Sequence, residues 1–280
     1  MEVRVLGPFA AELNGVSVVP TAGKPRQLLA LLALHSGQIL PVPTLVEELW
    51  GMSPPRTAVT TLHTYVMQLR RMLMATMATG STEAARRAKD VLTTQHGGYL
   101  LAADPELVDA HGFDRLSAAG RRAVTDGDLV TAGRCFSEAL AFWRGQALVD
   151  IRCGMLLEAE QVRLEEARIT TLEGRIDLEL ALGRPEEVLS ELSVLVTRMP
   201  LHEGFCAQRM VALYRTGRQT VALDAFHRLR RNLVAELGIE PSVRLQSLYR
   251  SLLEGDPEPD SWMAGSRRRQ QIFAAVPQGH

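Results

Sequence analysis

Much of the usual chemistry is missing from this sequence. Its three cysteines, Cys135, Cys153 and Cys206, are far apart and odd in number. Without C-x-x-C spacing they support neither a disulfide framework nor a thiolate metal site, and they are read as reduced. Aromatic residues make up 5 % against 46 % hydrophobic, the balance of a leucine- and alanine-rich, mostly helical globule. The longest apolar run, Leu28–Leu34, is far too short to span a bilayer. MEVRVLGPF at the N-terminus lacks the charged-then-apolar pattern of a signal peptide, so a cytoplasmic protein is expected. Net charge is −1, so nothing marks the whole chain as a polyanion binder.

Catalytic motifs are missing too. Gly23-Lys24 is followed by Pro25, and Val18 stands where a phosphate-binding loop needs its first glycine. There is no G-x-S-x-G or H-E-x-x-H, and the seven histidines are scattered. Glu158, Glu160, Glu165 and Glu166 suit an exposed helix face. No enzyme activity, cofactor or metal is expected. Neither a receiver domain with a phosphoacceptor aspartate nor an ATPase module is expected.

At 280 residues the chain is long enough for two domains. Charge divides between its halves. Residues 1–101 hold nine Lys and Arg against six Asp and Glu, and the remainder is acidic. A mildly basic N-terminal part permits nucleic-acid binding there.

Glu2–Leu6, Phe9–Leu13 and Val16–Val19, with the Asn14-Gly15 turn signal, read as a small antiparallel sheet. Lys24–His35 reads as a first helix, stopped at Ser36-Gly37, and Thr44–Trp50 as a second, stopped at Gly51. Arg56–Met74 follows Ser53-Pro54-Pro55 as the third and longest. Val59, Leu62, Val66, Leu69 and Leu73 share one apolar stripe on it, while Thr57, Thr60, Thr64, Gln68 and Arg71 fall opposite. Hydroxyls, an amide and arginines on one face suit base edges and phosphates; a solvated surface helix has the same pattern. Met74–Asp90 is polar and reads as a long mobile connection, with at most a helical turn at Glu83–Lys89. It could bring Arg86, Arg87 or Lys89 to a phosphate. Val91–Thr94 and Tyr99–Leu101 flank Gln95-His96-Gly97-Gly98 as a hairpin, which after three short helices is a wing.

The set VRVLGPF (Val3–Phe9), GKPRQLLALLALHSGQ (Gly23–Gln38), LVEELWG (Leu45–Gly51), TLHTYVMQLRRML (Thr61–Leu73) and GGYLL (Gly97–Leu101) resembles the Streptomyces antibiotic regulatory protein family of transcriptional activators. The resemblance continues to about Glu254. It implies a mainly α fold with small β content: an OmpR-like winged helix-turn-helix over residues 1–103, then an all-α, tetratricopeptide-like bacterial transcriptional activator domain over 108–254. The long Met74–Asp90 connection departs from the simpler winged helices and leaves the wing's placement open. Independently, Gly183-Arg184 and Gly217-Arg218 each open a helix at the 34-residue period of tetratricopeptide repeats, with Gly127, Ala132 and Phe136 marking an earlier, less regular unit. Helices are read at Phe113–Ala123, Leu129–Trp143, Met155–Leu182, Glu186–Met199, Glu203–Arg215, Gln219–Leu237 and Ser242–Leu253. Residues 255–280 read as a disordered tail, in which Arg267-Arg268-Arg269 could add non-specific DNA affinity.

The candidate base or sugar-phosphate contacts are Thr60, Thr61, Thr64, Tyr65 and Gln68, with Arg70 and Arg71 on phosphates. Thr94, Gln95 and His96 at the wing tip reach an adjacent minor groove or the backbone, and Lys24 and Arg26 anchor a phosphate from the first helix. By resemblance, such activators bind promoter direct repeats head to tail as dimers and touch RNA polymerase holoenzyme. A tetratricopeptide scaffold that does not use DNA, or a repressor with the same contacts, remains the alternative from sequence.

Overall fold

The computed structural model describes residues 1–77 and 81–255. The expected N-terminal sheet is present. Strands β1 (Glu2–Arg4), β2 (Ala10–Leu13) and β3 (Val16–Ser17) pair antiparallel in that order, with Asn14 and Gly15 both at positive φ in the tight β2–β3 turn. Helices α1 (Gly23–Leu34), α2 (Val42–Trp50) and α3 (Ala58–Ala75) follow. A two-residue strand, β4 (Leu40–Pro41), joins the hairpin of β5 (Leu92–Gln95) and β6 (Gly98–Leu101) in a sheet ordered β4-β6-β5.

Between α3 and β5, the expected loop is a helix, α4 (Ser81–Val91). The expectation of a mobile connection was wrong because the buried side of this helix is made of Ala84 and Ala88. The buried side has only small alanines, so the amphipathic pattern comes from the charged residues opposite them, and Ala, Arg, Lys and Glu are strong helix formers. α4 packs against α3 and runs straight into β5.

The remaining helices are α5 (Asp109–Thr125), α6 (Leu129–Ala141), α7 (Met155–Ala181), α8 (Pro185–Arg198), α9 (Glu203–Arg215), α10 (Gln219–Leu237) and α11 (Val243–Glu254). The expected tail from residue 256, with Arg267-Arg268-Arg269, lies outside the described residues. The chain divides into two compact units: Met1–Ala118 with Ser137–Ile169, and Ala119–Phe136 with the chain from Thr170 onward.

The first unit therefore draws on sequence from both sides of residues 103–108. Its core joins Val3, Val5 and Leu6, the leucines of α1, Leu62, Val66, Leu69 and Leu73 of α3, and Phe113, Leu148, Leu157 and Leu164. Three carboxylates tie these pieces together through backbone N–H groups. Asp109 accepts from Val5 N at 2.7 Å and Leu6 N at 3.1 Å. Asp150 accepts from Phe9 N at 2.7 Å. Glu48, buried on α2, accepts from Gln27 Nε2 at 3.0 Å and from Gly154 N and Leu156 N at 2.8 Å each. It thus satisfies the otherwise orphaned first N–H groups of α7. Gly154 has no room for a side chain, since a Cβ there would lie 2.2 Å from the Glu48 carbonyl oxygen.

In the second unit α8 packs on α9, and α9 and α11 on α10. Gly183 and Gly217 sit at left-handed φ in the turns that precede α8 and α10. Phe226 of α10 and Tyr249 of α11 stack at 4.2 Å. Gln208 on α9 donates to Glu173 O and Asp177 Oδ1 on α7. Helix pairs stacked in this manner are the arrangement that the 34-residue period predicts.

Candidate nucleic-acid interface

α3 buries Ala58, Leu62, Val66, Leu69 and Leu73. Val59, expected on the buried stripe, is 47 % exposed and Ala58 is buried instead. On an ideal helix Val59 stands about 60° from the stripe's centre at Leu62, and at the first turn the core no longer covers that edge.

The side of α3 away from the core exposes Thr60, Thr64 and Arg71, while Thr61 and Gln68 are half-buried at its margin. Thr64 Oγ1 donates back to the Thr60 carbonyl at 3.1 Å. Two further residues belong to this face. Met67, 58 % exposed, lies between Thr64 and Arg71 at i+3 and i−4. Arg56, exposed just before the helix, makes no ion pair or hydrogen bond among the described residues. The helical wheel that selected Thr60 and Arg71 also selects Met67, but hydropathy alone assigns methionine inward. α3 spans about 27 Å, so Arg56 and Arg71 place unneutralised cations toward its two ends.

Of the other candidates, five have partners inside the unit. Tyr65 stacks on Trp50, with centroids 6.2 Å apart and planes within 12°. Lys24 donates to the Leu49 carbonyl at 2.5 Å and lies over the Trp50 ring at 4.6 Å; burial and the nearby Arg152 lower its pKa. Arg26 donates to Pro20 O at 3.0 Å and pairs with Asp150 at 3.2 Å. Arg70, expected on a phosphate, points to the wing instead. Its Nε and Nη2 donate to the Leu92 carbonyl and its Nη2 to Thr94 Oγ1. Burial lowers the Arg70 pKa, with Tyr99 acting in the opposite sense, and the group stays cationic.

That fork fixes the wing to the helix and resolves the open question of its placement. Gln95 and His96 are exposed at the tip, His96 and Gly97 at positive φ as a tight hairpin turn requires. Behind the turn, Gly98 faces β4 so closely that a Cβ would lie 2.4 Å from the Leu40 carbonyl oxygen. Tyr99 is buried and meets His63 of α3 edge to face. Burial raises the Tyr99 pKa, with Arg70 offsetting part of the rise. On α4, Arg86 and Arg87 both pair with Glu83, whereas Lys89 stays exposed. The arrangement presents an unfilled polar helix face, a cation toward each end and a rigid adjoining hairpin, which suits a duplex groove and its phosphates. Among the described residues no group of His, Cys, Asp and Glu is placed to hold a metal ion, and no helix is long and apolar enough to cross a membrane.

Residues 108–253 match the bacterial transcriptional activator domain, and residues 17–101 match the C-terminal domain of transcriptional regulatory proteins. The chain is 50 % identical over 260 residues to the regulatory protein DnrI of Streptomyces peucetius, covering 93 % of this chain and 94 % of that one. It is 34 % identical over 257 residues to the transcriptional regulator RedD of Streptomyces coelicolor, covering 92 % and 71 %. The solved structure of Mycobacterium tuberculosis EmbR in complex with a low-affinity phosphopeptide matches with a TM-score of 0.86 at 29 % identity, over 98 % of this chain and 70 % of that chain. The chain therefore belongs to the Streptomyces antibiotic regulatory protein family, DNA-binding transcriptional activators rather than enzymes, in which an OmpR-type winged helix is joined to a bacterial transcriptional activator domain.

Proposed function

We propose that this chain activates a secondary-metabolite (antibiotic) gene cluster by binding direct repeats in its promoters, with α3 in the major groove and the wing in the next minor groove. The observation that carries this reading is the α3 face itself. Thr60, Thr61, Thr64, Met67 and Gln68 lie between Arg56 and Arg71, beside a wing that Arg70 and Thr94 hold in place. Gln68 reads a base edge, the threonine methyls and Met67 meet thymine methyls or sugars, and the two arginines meet phosphates. Gln95 and His96 supply the minor-groove or backbone contact.

Residues 1–103 form the DNA-binding domain, and residues 108–254 offer the surface that meets RNA polymerase holoenzyme. Two protomers lie head to tail on the nucleoid DNA, and one helical turn between repeats keeps both on one face of the duplex. Footprinting of the full chain on a repeat-containing promoter, with Arg71→Ala and Gln68→Ala in parallel, tests the reading. Protection of repeats spaced by one turn, weakened in both variants, is the expected outcome. Unchanged binding by both variants would remove α3 as the reading helix. Transcription in vitro with added polymerase gives the sign of regulation, and a fall in transcript on addition of the chain would make it a repressor.

A further inference from the structure

We propose that the second unit holds a binding site for a small oxyanion-bearing ligand, a phosphate or carboxylate compound, in the cavity between α8, α9 and α10. This cavity measures about 220 Å³. Arg209 of α9 and Arg228 of α10 both line it, and neither has a hydrogen bond or ion pair among the described residues. Nε of Arg209 is shut off from solvent without a partner. Burial first and then the neighbouring Arg228 charge depress the Arg209 pKa.

Three other arginines of this unit have carboxylate partners. Arg175 pairs with Glu191, Arg184 with Glu179 and Arg230 with Glu240. A half-buried cation next to a second cation, with no carboxylate supplied, is costly to the fold. An anion between them removes the repulsion, in the forked geometry that guanidinium groups offer to oxyanions. The rest of the cavity fits a compact ligand body. Val196, Met199 and Leu229 form apolar wall, and Asn232 adds an amide at the rim. The volume is below the roughly 300 Å³ at which drug-sized sites begin, which restricts the ligand to a small molecule. The site is independent of the α3 face and does not require the DNA-binding reading to be right.

The test is calorimetric titration and thermal unfolding of the full chain at constant ionic strength. Inorganic phosphate and acetate are the two probes, so that the one that saturates identifies the head group. Arg209→Gln and Arg228→Gln are compared with Arg230→Gln, which removes a surface charge outside the cavity. Arg228 is exposed, so its substitution keeps the fold. Saturable binding that weakens about tenfold or more in both cavity variants and is retained in Arg230→Gln is expected. If neither probe saturates, or if all three variants respond as the parent does, the site does not exist. A non-saturating rise in melting temperature shared by every protein is ordinary salt exclusion and counts as failure.

Discussion

Arg70 on α3 donates to the Leu92 carbonyl at the base of the wing from both Nε and Nη2, at 2.9 and 2.7 Å. The bond pair uses the planar fork of arginine, and the same Nη2 reaches Thr94 Oγ1 at 2.8 Å. Arg70→Ala should cost about 2 kcal/mol of unfolding free energy, the scale of hydrogen bonds to a charged group. Arg70→Lys keeps the charge but loses the fork. If Arg70 works by positioning the wing, both substitutions lower affinity for promoter DNA in fluorescence anisotropy. Full retention of affinity by Arg70→Lys would make it a phosphate contact instead.

Gly97 and Gly98 are adjacent, yet they should respond differently to alanine. At Gly97 the only obstacle is its φ of +73°, with open space around the position, and Gly97→Ala should cost about 1 kcal/mol. At Gly98 a Cβ would meet the Leu40 carbonyl, a backbone group that moves only if the β4–β6 pairing opens. Gly98→Ala should therefore cost several times more, on the order of 3 kcal/mol or above. Urea unfolding of the two full-length variants checks the order, and a Gly97→Ala cost equal to that of Gly98→Ala would contradict it.

The carboxylates Asp109, Asp150 and Glu48 make the N-terminal winged helix dependent on later sequence. A fragment ending at Ala103 lacks the acceptors for Val5 N, Leu6 N and Phe9 N. It also lacks Phe113, Leu148, Leu157 and Leu164 from the core. Such a fragment should unfold at much lower urea concentration than one ending at Ile169, the last residue of the first compact unit. Equal midpoints would show that residues 1–103 hold together without those acceptors. Within the full chain, Glu48→Ala leaves Gly154 N and Leu156 N without acceptors and should cost about 3 kcal/mol.

What could be read in the sequence follows from the range of the forces involved. The stripe of Leu62, Val66, Leu69 and Leu73 sets α3 to within two residues at its start, because large side chains on a 3.6-residue period leave a strong pattern. Asn14-Gly15 and His96-Gly97 announce their turns because so few residues tolerate positive φ. Helix α4 buries only Ala84 and Ala88, so its pattern lies in the charges on the opposite face and not in an apolar stripe. Strand β4 is two residues long, and its place is set by Gly98, more than fifty residues later. Asp109, Asp150 and Glu48 reach across roughly a hundred residues of chain or more. A carboxylate that accepts distant backbone N–H groups leaves no local signature. For the same reason Lys24 and Arg26 look like free cations in the sequence, although their partners Leu49 O and Asp150 lie 25 and 124 residues away.

Asp109 gives a pH test of the first unit. Burial raises its pKa above the ordinary 3.8, the largest influence, while the N–H groups of Val5 and Leu6 and the charge of Arg144 pull it down. A carboxyl with a raised folded pKa binds more protons in the native than in the unfolded state across that interval, so its contribution to stability is present at acid pH and is lost as pH rises through the folded value. The difference in unfolding free energy between the parent and Asp109→Asn should therefore be largest at acid pH and shrink toward neutrality. A difference that grows toward neutrality would mean that the two backbone hydrogen bonds and Arg144 outweigh burial.

Phosphate and base contacts on α3 are separable by salt. Arg56 and Arg71 lie toward opposite ends of the exposed face and carry no partner among the described residues. If each neutralises one phosphate, its replacement by alanine releases one fewer counterion. The slope of log K against log salt then becomes shallower by about 0.9, with the preference for the repeat over random DNA unchanged. Gln68 is half-buried between Thr64 and Arg71 and has no net charge. Gln68→Ala should leave the slope as it is and reduce discrimination against a substituted repeat by about 1–3 kcal/mol at one base pair. Anisotropy titrations at four salt concentrations on specific and random duplexes measure both quantities. An altered slope in Gln68→Ala, or a loss of discrimination confined to the arginine variants, would exchange the roles assigned to the centre and the ends of this helix.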